Sequence, residues 1–92
     1  MTSYLHNNVI VRGRVQGVFF RASTRTKAEE LGLFGFVHNE EDGSVYIEVE
    51  GEQIKIDELL LWLRNGGPSH ASVDDIQINQ GELVNFIGFE IR

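Results

Sequence analysis

The alternation of strand-like and helix-like patterns along the 92 residues is the feature that most restricts the fold of this chain. Short segments rich in β-branched residues indicate strands, and two longer segments repeat their apolar residues at helical spacing. The predicted strands are 8–15, 35–40, 45–50, 73–79 and a short final strand at 85–91, and the predicted helices are 21–31 and 53–64. The principal order is therefore strand, helix, strand, strand, helix, strand.

This order is typical of the ferredoxin-like split βαβ sandwich, an α+β fold. Two right-handed crossovers would place both helices on one face of an antiparallel sheet. Local signals agree with these boundaries, because Gly32 can end the first helix in a left-handed conformation and Asp42-Gly43 favours a tight hairpin. Many unrelated functions use this fold, so the fold alone predicts none of them.

The length and composition predict a single domain spanning residues 1–92. The longest apolar run, 59–63, is far shorter than the roughly 20 residues that cross a bilayer, and the N-terminus lacks the pattern of a signal peptide. The chain has no cysteine, which excludes disulfides and thiolate chemistry. We therefore expect a cytoplasmic protein that does not associate with a membrane and that acts as a monomer.

The charge is distributed unevenly along the chain. The formal net charge is −6, which argues against general nucleic-acid binding because that requires a cationic surface. However, the first acidic residue is Glu29, and several basic residues precede or adjoin it: Arg12, Arg14, Arg21, Arg25 and Lys27. This asymmetry indicates either a local anion site or a solvated basic face.

The segment "GRVQGVFFR", residues 13–21, joins the first strand to the first helix. An arginine in the first helical turn faces the positive end of the helix dipole, which is unfavourable unless an anion binds there. A turn at Gly17 could direct successive backbone N–H groups toward one point, and Arg21 could grip two oxygens of the same anion. We expect the phenylalanines to exclude water on the core side. The alternative is a tight turn with a solvated arginine.

Two longer segments resemble the signatures of the acylphosphatase family. "VRGRVQGVFFR", residues 11–21, is similar to the first signature, and "GFVHNEEDGSVYIEVEG", residues 35–51, is similar to the second. The segments at 59–76 and 86–92 resemble the second helix and the closing strand of the family, so the resemblance covers nearly the whole chain. It implies a small cytoplasmic enzyme that hydrolyses the carboxyl–phosphate bond of acyl phosphates without a metal or other cofactor.

The resemblance also implies roles for particular residues. Arg21 corresponds to the phosphate-binding arginine of the family, and Asn39 to the asparagine that positions the water. The phosphate-binding amides would be those of Val15, Gln16, Gly17, Val18, Phe19 and Phe20. Two departures from the usual pattern, His38 before the asparagine and Ser23 in place of an aromatic residue, concern substrate preference more than the chemistry.

The chemistry is consistent with these residue types. A carboxylate leaving group has a pKa near 4, so its departure needs little acid catalysis. If Asn39 points into the site, strand alternation directs His38 to the opposite face, which argues against His38 as a general base. The scattered histidines make no convincing metal site, and Ser23 and Thr24 lack the setting of a nucleophilic triad.

Three other functions compete with this one. An RNA-recognition module shares the element order, and "LFGFVHN" resembles part of its aromatic motif, but the segment lies in the second strand and Asn39 stands where an aromatic residue should be. A non-catalytic domain that binds phosphate on the same fold is also consistent with the sequence. A fused accessory domain of a larger carbamoyl-transfer protein conflicts with the length of the chain, which we expect to be complete in itself.

Overall fold

The computed structural model describes residues 3–92. Its elements, in chain order, are β1 (Tyr4–Arg14), α1 (Phe20–Glu30), β2 (Phe34–Asn39), β3 (Val45–Glu52), α2 (Gln53–Arg64), β4 (Ser72–Gly81) and β5 (Phe89–Ile91). The predicted order and fold class are confirmed, and the bounds of α2 are those predicted. Neither helix of the described chain is long and apolar enough to cross a membrane.

The five strands form one sheet in the order β4-β1-β3-β2-β5. The pairs β1–β3, β1–β4 and β2–β3 are antiparallel, as predicted. The last strand differs from the antiparallel prediction, because β5 pairs in parallel with β2 and makes the sheet mixed. It is also shorter than the predicted strand, since residues 82–88 cross the sheet from β4 at one edge to β5 at the other.

Both helices cover one face of the sheet and bury the core there. The strands contribute alternating residues to this core, and the helices contribute residues at helical spacing. Those with the least exposure are Val9, Val11, Val37, Val45, Ile47 and Val49 from the sheet and Phe20, Ala28, Ile56, Leu59 and Leu63 from the helices. Burial of this apolar surface is the main contribution to the stability of the fold.

The start of α1 is fixed against the end of α2. Phe20 is 1% exposed and its ring lies against that of Trp62. Gly67, which follows α2, has φ of 65°, and a Cβ atom there would lie only 2.9 Å from the Phe20 ring. A glycine is therefore required for both the backbone conformation and the space. This contact holds the first turn of α1, and with it the preceding loop, in one place.

Candidate active site

The loop between β1 and α1 adopts an unusual backbone conformation. Gly17 has φ of 75°, which suits a glycine, but Phe19 has φ of 60° and ψ of 24°. The left-handed conformation costs a residue with a Cβ atom about 1–2 kcal/mol. Phe19 occupies the position immediately before α1 and provides no side-chain hydrogen bond to cap the helix.

This conformation leaves a series of backbone donors free. Within residues 3–92, the N–H groups of residues 16–22 have no hydrogen-bond acceptor, and the N–H of Ser23 is the first to bond, to the carbonyl of Phe19 at 3.0 Å. The first turn of α1 contains no acidic residue. Free N–H groups at a helix N-terminus, together with the helix dipole, favour a bound anion.

A cavity of about 150 Å³ lies beside this loop. Its lining residues are Val15, Gly17, Phe19, Phe20, Arg21, Ala22, Asn39 and Ile91. The fold thus brings Arg21 and Asn39, which are separated by a helix and a strand, to one small space that no carboxylate lines. A larger open groove of about 380 Å³ between α1 and α2 shares Ala22 with this cavity but includes neither of these two residues.

Arg21 is exposed, and its guanidinium makes no hydrogen bond or ion pair with the rest of the described chain. Other arginines do find partners. Arg25, one helical turn later, lies 3.6 Å from the carboxylate of Glu29, and Arg92 lies 3.0 Å from that of Glu90. The five donors of Arg21 therefore remain available to a planar pair of oxygens on a ligand.

Asn39 ends β2 on the side of the sheet that carries Val37 and the helices. Its Oδ1 atom is buried and has no hydrogen-bond partner among the described residues. Leaving a buried acceptor unpaired costs roughly 1–3 kcal/mol. Thr24 Oγ1, on the buried side of α1, is in the same condition, but Asn39 also lines the cavity. A water or ligand there would satisfy Asn39.

Gln16 connects the loop to the β2–β3 hairpin. Its Nε2 atom donates to the backbone carbonyls of Glu40 at 2.8 Å and Ser44 at 2.9 Å. Glu40 follows Asn39 directly, so this one amide fixes the loop relative to the strand that carries Asn39. The Gln16 side chain therefore stabilises the position of the loop. It does not line the cavity. Val18 does not line it either, since its side chain is buried in the core.

The expectation that both phenylalanines exclude water is correct for Phe20 and wrong for Phe19, which is 82% exposed. The left-handed backbone at Phe19 turns this residue away from the core, and sequence periodicity gives no sign of such a turn. His38 lies on the sheet face opposite Asn39, where its ring stacks on that of Phe36. This is the placement that strand alternation predicts.

Two lining residues, Ala22 and Ile91, were not among those predicted. Ala22 follows Arg21 in the first turn of α1, and helix geometry could have indicated it. Ile91 reaches the cavity because β5 pairs beside β2, and short-range sequence patterns do not reveal that long-range pairing. No group of three or more metal-ligating side chains comes together anywhere in residues 3–92.

Comparison with known proteins identifies the family. The acylphosphatase family model matches residues 7–91. A curated relative from Rubrobacter xylanophilus, described as an acylphosphatase, is 47% identical over 85 residues, which cover 91% of this chain and 76% of that protein. A second, from Haloquadratum walsbyi, is 45% identical over 92% of this chain and 90% of that protein. The structure of an acylphosphatase from Coxiella burnetii has a TM-score of 0.92 at 39% identity, covering 97% of this chain and 93% of that one. This chain therefore belongs to the acylphosphatase family.

Proposed function

We propose that the loop amides and Arg21 hold the phosphoryl group of an acyl phosphate while Asn39 orients the attacking water. The reaction is that of the family: hydrolysis of the carboxyl–phosphate bond to a carboxylate and inorganic phosphate. The amides concerned belong to residues Val15, Gln16, Gly17, Val18, Phe19 and Phe20. The observation that carries this assignment is the meeting of unpaired backbone donors, an unpaired guanidinium and an unpaired Asn39 oxygen at one cavity.

Charge stabilisation is the main contribution required of such a site. The transition state of phosphoryl transfer spreads negative charge over three equatorial oxygens, and catalysis depends on positioning and electrostatic stabilisation. Backbone donors that the fold already holds in place lose little energy to reorganisation during the reaction. Arg21 adds a full positive charge, so the mechanism needs no metal and no cofactor to neutralise the phosphoryl group.

The proposed hydrolysis does not require a strong base from the protein. Water attacks phosphorus, the bond from phosphorus to the acyl oxygen breaks, and its electron pair leaves on the carboxylate. Asn39 can orient the water by hydrogen bonding, but a neutral amide does not accept a proton at neutral pH. The proton of the water therefore passes to a phosphate oxygen or to solvent. The low pKa of the leaving carboxylic acid makes an acid catalyst unnecessary.

We further propose that residues 1–92 act as one catalytic domain, as a monomer in the cytoplasm. The absence of cysteine is in keeping with a reducing compartment. The whole proposed site lies within one chain, so a second copy is not needed to complete it. Sedimentation of the purified protein and fractionation of the source cells would test these two statements.

The decisive experiment is hydrolysis of benzoyl phosphate with a chelator present, beside phenyl phosphate as a matched monoester. We expect rapid turnover of benzoyl phosphate only, and a loss on the order of 10³–10⁵ in kcat/KM for Arg21→Ala. Inorganic phosphate at ten times its Kd should raise the unfolding free energy of the native protein by about 1.4 kcal/mol, and should not stabilise the variant.

Arg25→Ala is the matched control, because Arg25 lies on the same helix, pairs with Glu29 and does not line the cavity. Its activity should stay within about two-fold of the native value, as exposed ion pairs contribute little. Near-native turnover by Arg21→Ala would remove the assigned role of this arginine. Phosphate binding without hydrolysis would instead indicate an anion-binding domain, and inactivation by the chelator would reveal a metal.

A further inference from the structure

Two features of Phe19 are energetically unfavourable in the protein without a ligand. Its ring is largely exposed, with 82% of the residue accessible, and its backbone is in the left-handed conformation that side chains rarely adopt. Strained residues of this kind are concentrated at functional sites. The left-handed backbone can be understood as part of the turn that leaves the loop amides without acceptors within the described chain. It does not account for an aromatic side chain at this position.

A second apolar residue lines the same cavity. Ile91, from β5, is 39% exposed, and it lies at the cavity together with Phe19. We name these two residues the apolar rim. The cavity therefore combines unpaired donors of positive character, from the loop and Arg21, with two accessible hydrophobic side chains that belong to different elements.

An acyl phosphate has the same division into two parts. Its phosphoryl group is a small dianion, and its acyl group is joined through one oxygen and is neutral and often apolar. A cavity of about 150 Å³ that holds the phosphoryl group leaves the acyl group at its mouth. Resting on our proposed function, we propose that the apolar rim binds the acyl group and makes the enzyme prefer aromatic and other apolar acyl phosphates over acetyl phosphate.

Contact with the rim is expected to act on binding more than on the chemical step. The acyl ring touches Phe19 in the ground state as well as in the transition state, and such uniform binding lowers KM without raising kcat. Aromatic pairs contribute enough that removal of Phe19 should reduce kcat/KM for benzoyl phosphate roughly 3- to 10-fold. Acetyl phosphate, with one methyl group, should hardly be affected.

Phe19→Asn is the variant that separates the ring from the backbone. Asparagine tolerates the left-handed conformation, so the loop amides should keep their directions. The chain already shows this, since Asn85 has φ of 67°. We expect the ratio of kcat/KM for benzoyl phosphate to kcat/KM for acetyl phosphate to fall roughly 3- to 10-fold, chiefly through a higher KM for benzoyl phosphate. Ile87→Asn, at a residue that is 93% exposed and outside the cavity, is the control.

The possible results are distinct. An equal fall for both substrates, with weaker inhibition by phosphate, would mean that Phe19 only maintains the loop, and it would overturn the rim while leaving the proposed function in place. No change for either substrate would also overturn it. If the native protein hydrolysed neither substrate, the proposed function would fail and the inference with it.

Discussion

Two regions of this protein carry runs of successive backbone N–H groups outside the regular hydrogen bonding, and the chain supplies an acceptor in only one of them. We call the region with the acceptor the filled site and the other region the open site. In residues 84–86, the amides of Val84, Asn85 and Phe86 donate to the Glu50 carboxylate, the latter two at 3.0 Å. In the β1–α1 loop, the amides of residues 16–22 have no acceptor within the described chain. These regions also contain the two described non-glycine residues with positive φ, Asn85 and Phe19.

In the filled site, the Glu50 carboxylate is shielded from solvent and its charge is balanced by His6. Glu50 is 2% exposed, and His6 Nδ1 lies 2.7 Å from its carboxylate. The other ring nitrogen of His6 faces Asn8 Oδ1 at 2.8 Å and Glu48 at 3.1 Å, so both nitrogens have oxygen acceptors and the ring is best bonded as an imidazolium. The loop site has the same kind of donors, a cation of its own in Arg21, and access to solvent.

The comparison separates two surroundings of the same kind of backbone donors. Where the chain supplies the carboxylate, the converging amides fix residues 82–88 to the sheet. In the β1–α1 loop the chain supplies no acceptor, and the same kind of donors remain available to a ligand. Unpaired donors raise the free energy of the folded protein, and a bound phosphate would offset this cost. The missing acceptor is the feature that supports our proposal of a substrate site in the β1–α1 loop.

The largest effect expected beyond that of Arg21 is for Asn39→Ala, which removes the second unpaired side chain that lines the cavity. Loss of one well-placed hydrogen-bonding group typically lowers kcat by about 10²–10³. We expect this fall for benzoyl phosphate, with the inhibition constant of phosphate changed less than three-fold, because the amides and Arg21 remain.

Asn79→Ala, in β4 and exposed, provides the control for Asn39, and its kinetics should match those of the native protein. Steady-state kinetics with phosphate as competitor distinguish the two roles of Asn39. An equal loss of phosphate affinity and turnover would place Asn39 in binding instead of in water orientation.

Glu50→Gln should break the filled site and leave the open one intact. A neutral amide has one acceptor oxygen for three backbone donors and leaves His6 Nδ1 without its carboxylate partner. Because the Glu50 carboxylate and its partners are buried, its replacement should lower the free energy of unfolding by about 3 kcal/mol. Denaturant unfolding would measure this, and kcat at a temperature where the variant is folded should be nearly unchanged.

Glu48→Gln, two residues along the same strand, is the matched control for Glu50. Its side chain is 21% exposed and accepts no hydrogen bond from the amides of residues 84–86. We therefore expect the free energy of unfolding to change by less than about 1 kcal/mol. Equal destabilisation by the two variants would show that the amide contacts of Glu50 are not what stabilises this region.

The smallest expected effect is the pH dependence of the filled site. Burial alone would lower the pKa of His6, but its hydrogen bonds to Glu50 and Asn8 and the charge of Glu48 raise it above 6.5 on balance. Burial would likewise raise the pKa of Glu50, but the amides of Val84 and Phe86 and the contact with His6 lower it below 4.5 on balance.

The signs of these two shifts define a window of stability. The contribution of His6 is complete below pH 6.5 and is lost as the pH rises through its raised pKa. That of Glu50 is complete above pH 4.5 and is lost as the pH falls through its lowered pKa. The pair should therefore stabilise the protein most between these values, and His6→Gln should flatten the alkaline side of the unfolding free energy profile.

The regular part of the fold could be predicted from sequence periodicity, because apolar spacing depends on local geometry. The alternation in β3 correctly separates Val45, Ile47 and Val49 from Tyr46, Glu48 and Glu50. It does not predict that Glu50 is buried, since that depends on residues 82–88 returning over the same face. The parallel pairing of β5 with β2 depends on the same long-range return.

The candidate site was likewise predictable in part. The motif resemblance indicated Arg21 and Asn39, and the structure brings both to one cavity, although their roles remain proposals. The exposure of Phe19 could not be predicted, because one left-handed residue reverses the direction of a side chain without altering the sequence pattern. The placement of Gln16 depends on a hairpin more than 20 residues away.

The two bonds of Gln16 have a consequence for folding. They join residues 24 and 28 positions apart in the chain, and they fix the loop beside Asn39 only after the β2–β3 hairpin and its pairing with β1 have formed. Contacts of this sequence separation form late because the intervening chain must first be ordered. A partly folded chain in which α1 has formed alone would lack a competent site. Recovery of activity during refolding should therefore report the completion of tertiary structure.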